Sequence, residues 1–215
     1  MSRSIPHRKP EFGLPLVPQS YFARDPVSLA PLLLNLIVVG PAGAGRIVEV
    51  EAYDGALDPA SHAYRGMTPR TASMFGPPGH LYVYRSYGMH WCANVVCRGE
   101  GQAAAVLLRA LQPLDPLGPL RANRPGVADR QLTNGPGKLC AALGITGRHD
   151  GVALFDPDSE VRVHRDDIEP PVDPTRSVRI GITKAADRPW RWHVTGDPHV
   201  SYPRIPRAPG VGRPS

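Results

Sequence analysis

Apolar positions along the chain fall mostly in short runs bounded by Gly and Pro, the pattern of strands joined by turns. Asp25-Pro26 sets an N-capping carboxylate before a proline at the first helical position, which predicts a helix carrying Leu29, Leu32 and Leu33 inward. Residues 36–39 then read as a strand, Gly40-Pro41-Ala42-Gly43 as a turn, and residues 46–53 as the second arm of a hairpin. Residues 54–80 form a Gly/Pro-rich stretch, and a loop that long inside a domain is usually functional or disordered. Residues 81–87 and 90–97 read as two strands separated by Gly88-Met89, a tight hairpin with Tyr87 at or beside its tip.

The continuous apolar run at 103–111 predicts a buried strand, and residues 139–143 a short helix beginning after Gly135-Pro136-Gly137-Lys138. Residues 152–154, 161–164, 178–182 and 190–194 read as further short strands. Residues 1–13 are a basic, flexible tail and 203–215 a Pro/Arg-rich flexible tail without periodicity, leaving a single domain over 14–202. The expected fold class is α+β: one domain on a curved, mostly antiparallel sheet, with peripheral helices and a protruding β-hairpin.

Composition sharpens this picture. At 215 residues with 41% apolar and 20% charged residues, the chain fits one domain with a sizeable core. Gly 22 and Pro 26 together exceed a fifth of the chain, against roughly 12% on average, which argues against a helical bundle. Cys92, Cys97 and Cys140 are odd in number and lack C-x-x-C spacing, so neither a disulfide framework nor a zinc site is expected. The longest apolar stretch, residues 29–34, is broken by Pro31 and far short of the roughly 20 residues that span a bilayer. A soluble, cytoplasmic protein with no membrane contact is expected. The net charge is +6, carried by 22 arginines and only three lysines, Lys9, Lys138 and Lys184. The planar Arg fork suits phosphate oxygens, although a GC-rich genome produces the same bias. Charge therefore supports a polyanionic partner without establishing one.

Two places carry candidate chemistry. Along residues 47–53, alternation puts Val48, Val50 and Ala52 on one face and Glu49, Glu51 and Tyr53 on the other. Two of the chain's six glutamates thus share a face. Such a face is either solvated or presents a carboxylate to a pocket as a general base, and alternation leaves both readings open. The second place is the hairpin, where Tyr82, Tyr84 and Tyr87 gather three of seven tyrosines, followed by Trp91. Tyr82 reads as core packing. Beside an arginine-rich surface, tyrosines on a hairpin also suit base stacking, and a tip carrying Tyr87 and Met89 suits a wedge between base pairs.

These residues fall into an ordered series. Glu49-Val50-Glu51-Ala52-Tyr53, His62, Thr68-Pro69-Arg70, Met74-Phe75, Gly79-His80-Leu81-Tyr82-Val83-Tyr84, Tyr87-Gly88-Met89, Asn94, Val106-Leu107-Leu108-Arg109-Ala110 and Gly135-Pro136-Gly137-Lys138-Leu139 follow one another. In that order they resemble the alkyladenine (3-methyladenine) DNA glycosylase family over roughly residues 15–200. The resemblance implies a monofunctional DNA base-excision repair enzyme, active as a monomer on double-stranded DNA with damaged purines, without cofactor or metal. It implies that Glu51 activates water, with Arg109 holding water and carboxylate, and that Tyr53, His62 and Tyr84 sandwich a flipped base. It further implies that Asn94 discriminates against normal guanine, that Tyr87 and Met89 enter the duplex, and that Thr68, Arg70 and Lys138 meet phosphates. Glu49 is expected to be structural or a charge at the pocket edge. Thr71 stands where the family commonly has asparagine, His90 and Trp91 where other aromatics are common, and the spacing from Asn94 to Arg109 is long. Two readings of another class stand beside this one: a non-catalytic nucleic-acid binding module, and a metal-dependent nuclease using Glu49, Glu51 and His62.

Overall fold

The computed structural model describes residues 13–201, and the remainder of both expected tails lies outside the described residues. Two helices open the chain, α1 (Gln19–Phe22) and α2 (Pro26–Leu33). The Asp25 side chain accepts from the Val27 and Ser28 amides at 3.1 and 2.9 Å, so the cap and proline start α2 as the sequence predicts. Strands β1 (Ile37–Gly40) and β2 (Gly43–Tyr53) form the first hairpin. β3 (Leu81–Ser86) and β4 (His90–Val96) form the second, and β5 (Ala105–Leu114) follows. Helices α3 (Gly118–Asn123) and α4 (Pro136–Leu143) precede three short strands, β6 (Arg162–His164), β7 (Thr175–Ser177) and β8 (Arg191–His193).

All eight strands join one curled antiparallel sheet in the order β3-β4-β5-β2-β1-β6, with β8 pairing both β2 and β7. β2 is the axis of this sheet. One edge pairs with β5 along its length, while the other edge pairs with β1 and then with β8 at Glu49–Glu51.

Apolar residues of α2 and α4, among them Leu29, Leu33, Leu139 and Leu143, cover one face of the sheet. Leu81 and Val83 point into that core, whereas Tyr82 and Tyr84 join a smaller cluster with Ala63, Met74 and Val96 on the other face. The two clusters separate a stability layer from a layer that floors a cavity.

Several local expectations change. A bulge between Ile47 and Glu49 shifts the parity of β2, so Ile47 rather than Val48 joins Val50 and Ala52 in the main core. Residues 152–154 form no strand and contribute only a bridge through Ala153. Residues 178–182 are a loop, and the strand there is β7, just before them. β3 ends at Ser86, so Tyr87, Gly88 and Met89 together make the turn. Lys138 lies inside the first turn of α4 rather than before it. The connection from β4 to β5, between Asn94 and Arg109, turns through Arg98 and Gly101, which take positive φ.

Gly55 turns the chain out of β2 toward the cavity wall. Its φ is +42°, and a Cβ there would sit 2.0 Å from the Ala103 carbonyl oxygen. Gly55→Ala should lower the unfolding free energy by about 2–4 kcal/mol, combining left-handed strain with overpacking. Urea denaturation measures the loss, and a change under about 0.5 kcal/mol, the range of ordinary surface substitutions, would contradict it.

Candidate active site

A cavity of about 790 Å³ opens on the face away from α2. Its wall takes Tyr53 from β2, Tyr82 and Tyr84 from β3, Asn94 from β4 and Arg109 from β5. Segments 60–62, 134–136 and 180–182 close its sides. Short-range alternation explains this convergence, because residues two apart on adjacent strands project to one side of the sheet.

The acidic residues of β2 are not solvated: Glu49 and Glu51 are both fully buried. Glu49 Oε1 accepts from Arg109 Nε at 2.9 Å, Arg191 Nε at 2.6 Å and the Ser201 hydroxyl at 2.8 Å. Its Oε2 accepts from the Ser201 amide at 2.6 Å. Burial raises the Glu49 pKa, but Arg109, Arg191 and Ser201 outweigh it and hold the carboxyl below its ordinary 4.5. Glu49 is a structural anion, matching one of the two expectations for it.

Glu51 is held differently. Its Oε2 accepts from the Tyr53 hydroxyl at 2.8 Å, and its Oε1 accepts from the Ile180 amide at 2.7 Å and pairs with Arg109 Nη1 at 3.2 Å. Tyr53, Ile180 and Arg109 all line the cavity, so Glu51 sits one side chain behind its wall. Burial, then the Glu51 charge, pushes the Tyr53 pKa well up, so its phenol stays protonated and donates. Burial lowers the Arg109 pKa, yet Glu51 and Glu49 together leave it raised and the guanidinium cationic.

The aromatic wall is ordered by ring contacts. Tyr82 and Tyr84 stack at 5.6 Å between centroids, and His62 meets Tyr84 edge-on at 4.5 Å. His62 Nδ1 lies 3.2 Å from the Tyr82 hydroxyl, so Tyr82 is both buried packing and part of the wall. Partial desolvation, then Arg70, lowers the His62 pKa, which keeps the ring neutral at pH 7. Burial, then the Cys92 thiol, raises the Tyr84 pKa. Asn94 is buried and its amide donates to the Tyr82 carbonyl at 3.1 Å.

Of the remaining candidates, Tyr87 and Arg70 line the cavity, whereas Met89, Thr68 and Lys138 do not. Tyr87 is 87% exposed at the hairpin tip with φ +49°, followed by Gly88 at +66°, and Met89 is 68% exposed. Arg70 lines the cavity with its guanidinium 5.6 Å from the Tyr84 ring centroid. Thr68 is exposed, and its amide donates to Thr71 Oγ1 at 2.9 Å, so a threonine hydroxyl fastens this loop. Lys138 is exposed and donates to Asn134 Oδ1 at 2.8 Å beside the cavity-lining Gly135 and Pro136. The structure therefore brings Glu51, Tyr53, His62, Tyr84, Asn94, Arg109, Arg70 and Tyr87 to one cavity. Sequence reasoning missed Asp58, Arg179, Ile180, Arg191 and Ser201. Asp58 pairs with Arg179, while Arg179, Ile180, Arg191 and Ser201 find partners on β2; each partner lies more than a hundred residues away, and no local pattern reports such pairing.

The family model for methylpurine-DNA glycosylase (MPG) matches residues 20–198. A protein of Burkholderia cenocepacia (strain HI2424) named "Putative 3-methyladenine DNA glycosylase" is 52% identical over 194 residues, covering 88% of this chain and 94% of its own length. Proteins of the same name from Rhodopseudomonas palustris (strain HaA2) and Nitrobacter winogradskyi are 50% and 46% identical. They cover 88% and 90% of this chain, and 92% and 90% of their own lengths. The molecule is thus a monofunctional DNA glycosylase of base-excision repair acting on alkylated bases. Within that class, the chain belongs to the methylpurine-DNA glycosylase family.

The Glu49 network yields a stability prediction. Glu49→Gln removes the carboxylate that Arg109 and Arg191 share, leaves one buried positive charge uncompensated, and should cost about 3–5 kcal/mol at pH 7. Because the native pKa is depressed, the wild-type contribution is complete above pH 4.5 and is lost as pH falls through the native value. Denaturation curves of the two proteins should therefore converge at acid pH, and a gap independent of pH would refute the assignment.

Proposed function

We propose that the enzyme hydrolyses the N-glycosidic bond of alkylated or deaminated purines in double-stranded DNA, leaving an abasic site. The substrate class is 3-methyladenine, 7-methylguanine, hypoxanthine and ethenoadenine. The observation that carries this reading is Glu51, fixed by Tyr53, Ile180 and Arg109 directly behind an aromatic cavity wall.

The anomeric carbon is shielded inside a stacked duplex, so the nucleotide is flipped into the cavity at a cost of a few kcal/mol. Tyr53, His62 and Tyr84 clasp the flipped base. Alkylation at N3 or N7 makes the purine cationic, and a cation over an aromatic face gains about 0.5–2 kcal/mol. A neutral His62 supplies a ring without an opposing charge. Asn94, tied to the Tyr82 carbonyl, meets the purine edge and rejects guanine by failing to satisfy its exocyclic amino group.

A carboxylate offers about four acceptor positions. Ile180 and Arg109 occupy Oε1, and Oε2 keeps a position beside the Tyr53 hydroxyl. Water entering at the seam between Tyr53 and Arg109 donates there, and Glu51 takes its proton as the oxygen attacks the anomeric carbon. The bonding pair leaves with the base, which cancels the positive charge of an alkylated purine.

On the DNA side, Tyr87 fills the gap left by the flipped nucleotide and Met89 lines the minor groove. Their exposure supports this role, as does the left-handed backbone at Tyr87, a strain that tends to persist where function requires it. Thr68, Arg70 and Lys138 contact phosphates around the mouth. The nuclease reading fares worse, because Glu49 is saturated by Arg109, Arg191 and Ser201. Among the described residues no three His, Cys, Asp or Glu side chains converge on a metal position.

Glu51→Gln should abolish release of methylated purines while binding an abasic-site duplex with near-normal affinity. Turnover of the wild type should persist in EDTA. Near-normal turnover of the variant would remove Glu51 from its role, and loss of activity in EDTA would restore the nuclease reading. Tyr87→Ser should weaken binding to lesion duplexes by about 1–3 kcal/mol, the scale of one stacked base, with a smaller loss on single-stranded lesions. Equal losses on both substrates in a binding titration would contradict the wedge.

A further inference from the structure

Tyr53 is backed by a guanidinium. The Arg179 side chain is fully buried, with Cζ 4.6 Å from the Tyr53 ring centroid and 5.2 Å from that of Trp190. Arg188 covers Trp190 in turn, at 4.6 Å. Tyr53, Arg179, Trp190 and Arg188 thus alternate ring and cation from the cavity wall outward.

Hydrogen bonds fix this ladder to the segments that build the site. Arg179 forms a bidentate pair with Asp58, Nη2 donating to Oδ1 at 2.9 Å, and its Nη1 donates to the Ala52 carbonyl at 2.9 Å. Arg188 donates to the Leu57 carbonyl at 2.9 Å. The residue after Arg179 is Ile180, whose amide holds Glu51. One side chain therefore joins the end of β2, the wall segment following Asp58 and the loop at 180–182. Arg179 Nε is buried with no hydrogen-bond partner among the described residues. Buried polar groups are rarely left so, and here the two rings and Asp58 determine the orientation of the guanidinium.

We propose that Arg179, locked by Asp58, is a positioning residue for base excision. It holds the Tyr53 ring at the cavity and the Ile180 amide on Glu51 without touching the substrate. This rests on the reading of Glu51 as the base and Tyr53 as part of the clasp. Catalysis at this site depends on alignment, and a displacement of about 1 Å can cost about a hundredfold in rate. Lysine keeps the charge of Arg179 but cannot stack between two rings while binding Asp58 bidentately.

The test measures single-turnover release of 7-methylguanine from a methylated duplex at saturating enzyme, together with affinity for a duplex holding an abasic-site mimic. Arg179→Lys and Asp58→Asn should slow release about tenfold to a hundredfold. Affinity should stay within about twofold, a loss in the chemical step rather than in binding. A purely structural role predicts the opposite split, lower melting temperatures with wild-type release below the melt, and that result overturns the proposal. Should Arg179→Lys fail to fold, the isosteric Asp58→Asn carries the same decision. Glu51→Gln run alongside separates the two claims. If it is inactive while both other variants keep full rate, the positioning role alone falls; if it excises normally, the reading of the base falls and takes the proposal with it.

Discussion

Arg109 stands between two buried carboxylates, with Nε on Glu49 at 2.9 Å and Nη1 on Glu51 at 3.2 Å. Three charges this deep are expensive to desolvate, and their attraction roughly offsets that cost without adding much stability. What the arrangement fixes is geometry, because with Arg191 on Glu49 it balances two anions against two cations, and removing any member leaves an uncompensated buried charge. Glu49 draws in Arg191 and Ser201 from the far end of the domain, so the chain closes around the same ion pair that orients Glu51. The sheet around β2 can thus be read as a frame for one arginine.

Division of labour between the two faces of the sheet follows from this frame. Val50, Ala52, Leu81 and Val83 anchor the strands to the apolar layer under α2 and α4. Residues of opposite parity, Glu51, Tyr53, Tyr82 and Tyr84, are carried to the cavity side by the same anchoring. Strands supply Tyr53, Tyr82, Tyr84, Asn94 and Arg109 to the cavity wall, and loops at 60–62 and 180–182 close its sides. The strained tip at Tyr87 belongs to a hairpin whose base is pinned by paired strands, so a single exposed ring is presented on a stiff support.

Much of this was legible from residues alone. Asp25-Pro26 announced its helix, the turn at Gly40 its hairpin, and Gly88-Met89 a second hairpin carrying the clustered tyrosines. The ordered series from Glu49 to Lys138 gave the family, which the comparisons bear out. What stayed hidden was pairing over long sequence distance. Ile180 sits in a stretch whose apolar alternation reads as a strand, yet its amide serves Glu51 instead of a ladder. Asp58, Arg191 and Ser201 carry no local signature, since their partners are chosen by the closed fold. The bulge near Val48 was equally silent, because strand patterning assumes unbroken parity.

The central claim is that a flipped purine lies against Tyr53, His62 and Tyr84 while Glu51 holds the attacking water. A crystal structure of the enzyme on a duplex carrying a non-hydrolysable ethenoadenine nucleotide tests it most directly. The account predicts the base between those rings, with an ordered water within hydrogen-bond distance of both Glu51 and the anomeric carbon. A base left in the stack, or a water held by groups other than Glu51, would contradict it.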